Sequence, residues 1–460
     1  MVRWNGRIRT TEDPLCQRWA DCMYRSIDYI GLGEVCSCVL KTNPGSMSTE
    51  REYEVIVIGA GVQGSFTAYQ LAQRNKKTLL LEQFVLPHSR GSSHGQTRII
   101  RKAYEQDFYI HMMEECYELW AQLERETGVK LYRQTGLLVM GPESSQSYLA
   151  IKNTLQRNKV PMVILNRDNF SQHIPHVNLA EGDGAVVDIT AGVLYADRAL
   201  KTVQGQFQKL GGVIRDKEKV TDIKPGPVVT VSTSAGVYRA NSVVITAGPW
   251  ANRLLAHIGL QLPLEVVKIN VCYWREKVPG SYNVKQRFPC FLQTEGEESK
   301  QQIYGLPSNE YPGLMKICYH AGAETDPDQR DRQTDRSDID ILQRYITRCL
   351  PGLVPEPAVV ESCMLNEALL NEVVLVLLVS LWSLQDPSKA TMLSVTGLCT
   401  LLHPVALPPD KAPPNDSPTW GTGPSPYLVS GKAVGGLHPI LEPPGVVSPW
   451  RKRLAKGHLH

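Results

Sequence analysis

An α/β fold is predicted by three observations on this chain. An apolar strand runs into a glycine-rich turn and then a helix in "EVIVIGAGVQGSFTAYQLAQRNKKTLLLEQ". Strand and helix patterns then alternate from Glu54 to about Met364. With 42% hydrophobic and 21% charged residues, the composition is that of an ordinary globular protein with enough apolar material for a real core. A length of 460 residues predicts two or three domains, or one large two-lobed unit.

The first element is the strand Val55–Ile58, followed by Gly59, Gly61 and Gly64 in G-x-G-x-x-G spacing. Helical spacing runs through Phe66, Ala68, Tyr69, Leu71 and Ala72, and a second strand, Thr78–Leu81, ends in Glu82. The first glycine allows the tight turn, the second admits a pyrophosphate to the backbone, and the third lets the helix pack close to the strand. The phosphates would sit over the helix N-terminus, where unpaired N–H groups favour negative charge. Glu82 follows Gly64 by 18 residues, where an acid accepts hydrogen bonds from ribose hydroxyls and disfavours a 2′-phosphate. A dinucleotide site therefore follows, and NADP is disfavoured. The motif alone does not separate NAD from FAD. Further on, "LGGVIRDKEKVTDIKPGPVVTVSTSAGVYRANSVVITAGPWAN" reads as short strands closing on the apolar strand Val243–Thr246 and the turn Ala247–Trp250. A small β layer that returns to the sheet in this way suits a large FAD-binding fold.

Composition narrows the function classes. A formal charge of +3 provides no nucleic-acid surface. The 11 cysteines lack the paired spacing of a disulfide framework or zinc site, so reduced thiols and no metal are expected. "QHIPH" (His173, His176) is read as loop, because Pro175 argues against one helical face. The longest apolar run, Val373–Leu384, has 12 residues, short of the ~20 that span a bilayer, and the N-terminus has no signal-peptide core. A soluble intracellular protein is expected. Residues 1–46 lack a clear period and are read as a poorly ordered extension, and residues 47–364 as the folded unit. In residues 365–460 prolines gather among Gly and Ser, as in "PPDKAPPNDSPTWGTGPSP", which predicts a poorly ordered tail.

Two further segments carry chemistry. "SSHGQTRIIR" places His94, Arg98 and Arg101 together, and a guanidinium binds a carboxylate through two parallel hydrogen bonds. In "PGLMKICYH" the alternation of strand side chains puts residues 316, 318 and 320 on one face. Lys316 is thus a lysine on an otherwise apolar strand, which needs an explanation if buried.

With "LPHSRGSSHGQTRIIRKAY", "INVCYWREKVPGSY" and "PGLMKICYH", the chain resembles the sarcosine oxidase family of flavin amine oxidases from about Glu54 to Met364. The resemblance implies an FAD-binding Rossmann-like domain interleaved with a substrate domain containing an antiparallel sheet. It implies FAD held covalently and oxidation of a small secondary amino acid (sarcosine, L-pipecolate or similar) to the imine, with O₂ reduced to H₂O₂. By resemblance, Arg101 anchors the substrate carboxylate, while His94 and Arg98 line the flavin and substrate pocket. Lys316 is the cation at which oxygen is reduced, His320 lies beside the substrate, and Cys363 is the point of flavin attachment. Gly59, Gly61, Gly64 and Glu82 hold the dinucleotide. The partners implied are the amino acid and O₂, with no nucleic acid and no membrane, and the expected state is a monomer.

After Met364 the pattern departs from the family. Position 365 is Leu where the family has an aromatic residue, and the glycine-rich segment that closes over the flavin does not follow. This departure supports one alternative to the oxidase, a non-catalytic variant without a complete flavin site, and the glycine motif with Glu82 allows a second, an NAD-dependent dehydrogenase. Family members end in a small–basic–Leu peroxisomal tripeptide, whereas this chain ends "KGHLH". The resemblance implies peroxisome, and the terminus leaves cytosol open.

Overall fold

The computed structural model describes residues 53–296, 299–368, 378–380 and 391–393. The expected extension 1–46, and the expected tail apart from the short segments just named, lie outside the described residues. Among the described residues no helix is long and apolar enough to cross a membrane. The run Val373–Leu384 is described only at Leu378–Ser380, which pairs antiparallel with Thr391–Leu393.

A six-stranded sheet is built around the strand Tyr53–Ile58. That strand pairs in parallel with Thr78–Leu81 on one side and Val237–Ile245 on the other. Val213–Arg215 extends the sheet beyond Thr78–Leu81, and two hairpins, through Val229–Thr233 and Val220–Lys224, extend it on the opposite edge. Both faces of the parallel part are covered, which is why its strands read as continuous apolar runs. Val57, Leu80 and Val244 face one core with the helices Val62–Gln73, Asp107–Thr127 and Ala196–Lys209. Ile56, Ile58, Leu79, Leu81, Val243 and Ile245 face another, closed by the hairpin residues Val229 and Val231.

The helix Asp107–Thr127 buries Ile110, Met113, Cys116, Trp120 and Leu123, a stripe at three- and four-residue spacing. It ends at Gly128, which takes the left-handed conformation (φ 70°) that lets its N–H cap the carbonyl of Glu124.

The second layer is a mostly antiparallel nine-stranded sheet with one parallel pair, Cys290–Gln293 against Leu137–Pro142. Its long strand Leu264–Glu276 pairs with Leu314–Tyr319 on one side and Leu353–Ala368 on the other. Alternation along these strands separates two environments. Cys272, Trp274, Met315 and Ile317 pack with Leu342, Tyr345 and Ile346 of the helix Ser337–Cys349. Val271, Tyr273 and Cys318 point to the other face, where Cys363 also packs. Truncating a fully buried aromatic such as Trp274 costs about 3–5 kcal/mol, so the helix-covered face is a firm support for the face opposite.

Three sequence expectations are modified. The strand expected over Val243–Thr246 is the end of a longer one, Val237–Ile245, because its hydrogen-bonding partners begin at the hairpin. His173 was expected in a loop but closes the helix Arg167–His173, while His176 lies beyond Pro175 at φ 70°. The change of character expected after Met364 falls inside a strand. Pairing continues from Lys268↔Met364 to Leu264↔Ala368, since the partner strand still offers its backbone groups there.

Candidate active site

The cofactor half of the site is a cavity of about 1130 Å³ lined by Gly59, Gly61, Glu82, His94, Trp250 and Leu365 among others. This exceeds the roughly 300–1,000 Å³ typical of drug-sized ligands. Gly59 has φ +103°, and a Cβ there would fall 2.5 Å from the Thr246 carbonyl oxygen. Gly64 does not line the cavity but packs beneath it. An added Cβ would come within 1.8 Å of the Gly59 oxygen and 2.5 Å of Thr246 Oγ1, so the helix must meet the strand without a side chain. The N-terminus of Val62–Gln73 opens into the cavity, and Ser93 Oγ accepts from the Val62 amide at 3.0 Å. An oxygen acceptor thus already sits where a pyrophosphate oxygen would be held.

Glu82 is buried, and its two oxygens accept from the amides of Ala60 (2.9 Å) and Phe84 (3.1 Å). His88 Nε2 also stands 3.5 Å from one of these oxygens. A carboxylate has about four acceptor positions, which leaves capacity for a ribose hydroxyl. These residues fit a dinucleotide such as FAD.

The second half lies on the face of the antiparallel sheet opposite its covering helix. Lys316, 4% exposed, stands opposite Tyr273, with Nζ 6.0 Å from that ring. Cys363 is half-buried on the neighbouring strand, with Sγ 4.0 Å from the carbonyl of Ser92. His320, just past the strand end, is buried, with its ring 6.0 Å from Tyr304.

The segment Thr97–Ile100, a strand paired with Gly192–Tyr195, brings in the arginines. Arg98 donates to the carbonyls of Thr97 and Ser92 (2.8 Å each) and His94 (2.5 Å). It therefore braces the Ser92–His94 turn from beneath. Arg101 is 6% exposed and stacks 4.5 Å over the Tyr104 ring. No ion pair or hydrogen bond to its guanidinium is found among the described residues, so a buried cation is held here by a π face alone.

The two histidines are neutral at pH 7. Burial, with Arg101 adding to it, pushes His320 down to about 4. Burial also brings His94 down to about 4, with the positive charges of Arg98, Arg330 and Lys316 acting in the same direction, despite the hydrogen bond it makes to the Gly91 carbonyl. With both imidazoles neutral, the buried Arg101, which meets no carboxylate among the described residues, is suited to an anion.

Of the residues singled out in the sequence, Gly59, Gly61, Glu82 and His94 meet in the cavity. Lys316, His320, Arg98, Arg101 and Cys363 do not line it. Arg98, Lys316 and Cys363 contact the Ser92–Thr97 segment, which joins the two halves, while Arg101 lies close enough to His320 to act on its charge. Sequence reading missed Ser93, Tyr273, Tyr304, Trp250, Arg330 and Glu310. Ser93 lay within a quoted motif and could have been found from the helix N-terminus it approaches. Glu310 sits in "PSNEYPG", a turn-like stretch in which an acid reads as surface, yet its side chain is 3% exposed.

The FAD dependent oxidoreductase family model matches residues 54–365. Over 315 residues the chain is 53% identical to the peroxisomal sarcosine oxidase of Homo sapiens, covering 68% of this chain and 80% of that protein. It is 31% identical over 329 residues to the monomeric sarcosine oxidase of Bacillus sp. (strain B-0618), covering 70% and 83%. Among solved structures, NikD, an unusual amino acid oxidase essential for nikkomycin biosynthesis, superposes with a TM-score of 0.61 at 24% identity, covering 69% of this chain and 82% of that one. At that identity the likeness bears on the fold. With the glycine turn, the buried acid and the two-sheet architecture in place, this chain belongs to the FAD dependent oxidoreductases, among the sarcosine oxidases.

Proposed function

We propose that the chain oxidises a small secondary amino acid, sarcosine, L-pipecolate or a similar compound, to its imine. The overall reaction converts the amine and O₂ to imine and H₂O₂, and water then hydrolyses the imine. The observation that carries this reading is Arg101, a buried guanidinium without a carboxylate among the described residues. A substrate carboxylate supplies the missing countercharge through two charge-assisted hydrogen bonds. Bound FAD supplies the two-electron acceptor and, once reduced, the reductant for O₂.

Arg101 fixes the carboxylate and so places the adjacent C–H bond, converting a bimolecular encounter into an oriented one. His320 and Tyr304 wall the substrate side, and neutral His320 takes no charge that would compete for the carboxylate. Arg98 holds the turn bearing His94, and Lys316 presents positive charge where oxygen becomes anionic. Gly59, Gly61, Gly64 and Glu82 hold the dinucleotide, and Cys363 is its attachment point. The catalytic unit is residues 47–364, with 1–46 as extension and 365–460 as tail, acting as a monomer. The name of the human relative supports a peroxisomal location.

Acid precipitation of purified protein tests the cofactor half. Yellow colour retained in the washed pellet, and lost in Cys363→Ser, is the expected result. A pellet and supernatant that are both colourless would mean that the site does not close around FAD, the outcome that favours a non-catalytic form given Leu365 at the cavity wall.

A further inference from the structure

We propose that Glu310 is the positioning residue for Lys316, locking its ammonium to the strand that leads into Arg101. The inference rests on the oxidase reading above and assigns a part to a residue outside every motif.

Glu310 lies between the strands Ile303–Leu306 and Leu314–Tyr319. Its carboxylate is 3.6 Å from Lys316 Nζ, and the two side chains are 3% and 5% exposed. The hydroxyl of Thr97 donates to Glu310, and the carbonyl of Thr97 accepts from Lys316 Nζ at 3.3 Å. Three groups therefore close a ring, with Thr97 touching both charges. Thr97 begins the strand that contains Arg98 and ends at Ile100, next to Arg101.

The ring ties the antiparallel sheet to the small sheet whose strand Thr97–Ile100 leads into Arg101. The ammonium is thereby held against the first residue of the strand Thr97–Ile100.

A lysine side chain has four rotatable bonds, and only contacts on more than one side hold its Nζ in one place. Tyr273 offers a ring face at 6.0 Å, too diffuse to fix direction. The other acid on this face, Glu361, accepts from the hydroxyls of Tyr273 (3.3 Å) and Tyr311 (2.6 Å). Glu310 is thus the carboxylate that meets Lys316 among the described residues. Removing one partner of a buried pair leaves an uncompensated charge, so the remaining member moves or draws in water.

The test uses the FAD-loaded protein and the variants E310Q, K316M and E310Q/K316M. Stopped-flow absorbance separates anaerobic reduction by substrate from reoxidation by O₂, and thermal unfolding gives the four midpoints. Misplacement of a reacting group by about 1 Å can slow a step about a hundredfold. In E310Q, reoxidation is expected to slow about tenfold to a hundredfold, with reduction by substrate changed less than about twofold. The double variant is expected to unfold at a higher temperature than the sum of the single shifts gives.

Equal slowing of both half-reactions, or unchanged reoxidation, overturns the proposal whatever the midpoints show. Failure of substrate to reduce the wild-type protein refutes the oxidase reading instead. The midpoints then decide the pair alone, additive shifts overturning it and non-additive shifts supporting it.

Discussion

Replacing Arg101 with Met separates catalysis from stability in opposite directions. In the substrate-free protein the guanidinium is buried, without a hydrogen bond among the described residues, over the ring of Tyr104 at 4.5 Å. Methionine removes the cation–π contact, worth about 0.5–2 kcal/mol. It also removes a buried charge whose desolvation costs several kcal/mol. The substrate-free variant should therefore be as stable as wild type or more so.

With substrate the balance reverses. Two hydrogen bonds between charged groups contribute about 1.5–3 kcal/mol each, so their loss amounts to about 3–6 kcal/mol. At 1.4 kcal/mol per tenfold, kcat/KM should fall about 10²–10⁴-fold. The assay pairs H₂O₂ production against substrate concentration with thermal unfolding in the absence of substrate. Retention of kcat/KM within about threefold would show that the carboxylate binds elsewhere. A large drop in Tm alongside lost activity would show that Arg101 is a structural pillar.

Two other predictions concern the cofactor half and pH. Gly64→Ala drives a Cβ into the Gly59 carbonyl at 1.8 Å, and neither group can rotate away, so destabilisation of about 1–3 kcal/mol with loss of bound flavin is expected by denaturation and absorbance. A Gly64→Ala protein that keeps its yellow colour and its midpoint would refute the packing argument. His94 and His320 sit at about 4 in the fold against 6.5 outside it. Between those values the unfolded chain takes up protons that the folded chain refuses, so stability is complete above about pH 6.5 and is lost as pH falls toward 4. Each histidine contributes about 3 kcal/mol to that loss. His320→Asn should flatten the slope by about that amount in denaturant titrations at pH 7 and pH 4, and parallel slopes would exclude the assignment.

Local chemistry was legible in the sequence wherever neighbours along the chain meet in space. Gly59, Gly61, Gly64 and Glu82 could be read because a tight turn, a helix start and the end of the next strand all fall within 24 residues. Alternation in "LMKIC" correctly separated Lys316 and Cys318 from Met315 and Ile317, since strand side chains have a period of two. The resemblance supplied the identity of the reaction.

What remained hidden depended on pairs far apart in the chain. Glu310 reads as a turn acid until Thr97, more than two hundred residues earlier, is placed against it. Arg98 and Arg101 look equivalent on the page. In the fold, Arg98 is bonded to three carbonyls while Arg101 is left with a ring face. Sequence determines which groups are available and what each strand or helix presents on a face. Burial and the choice of partner belong to the tertiary structure, because a charge's free energy depends on what surrounds it once water has been excluded.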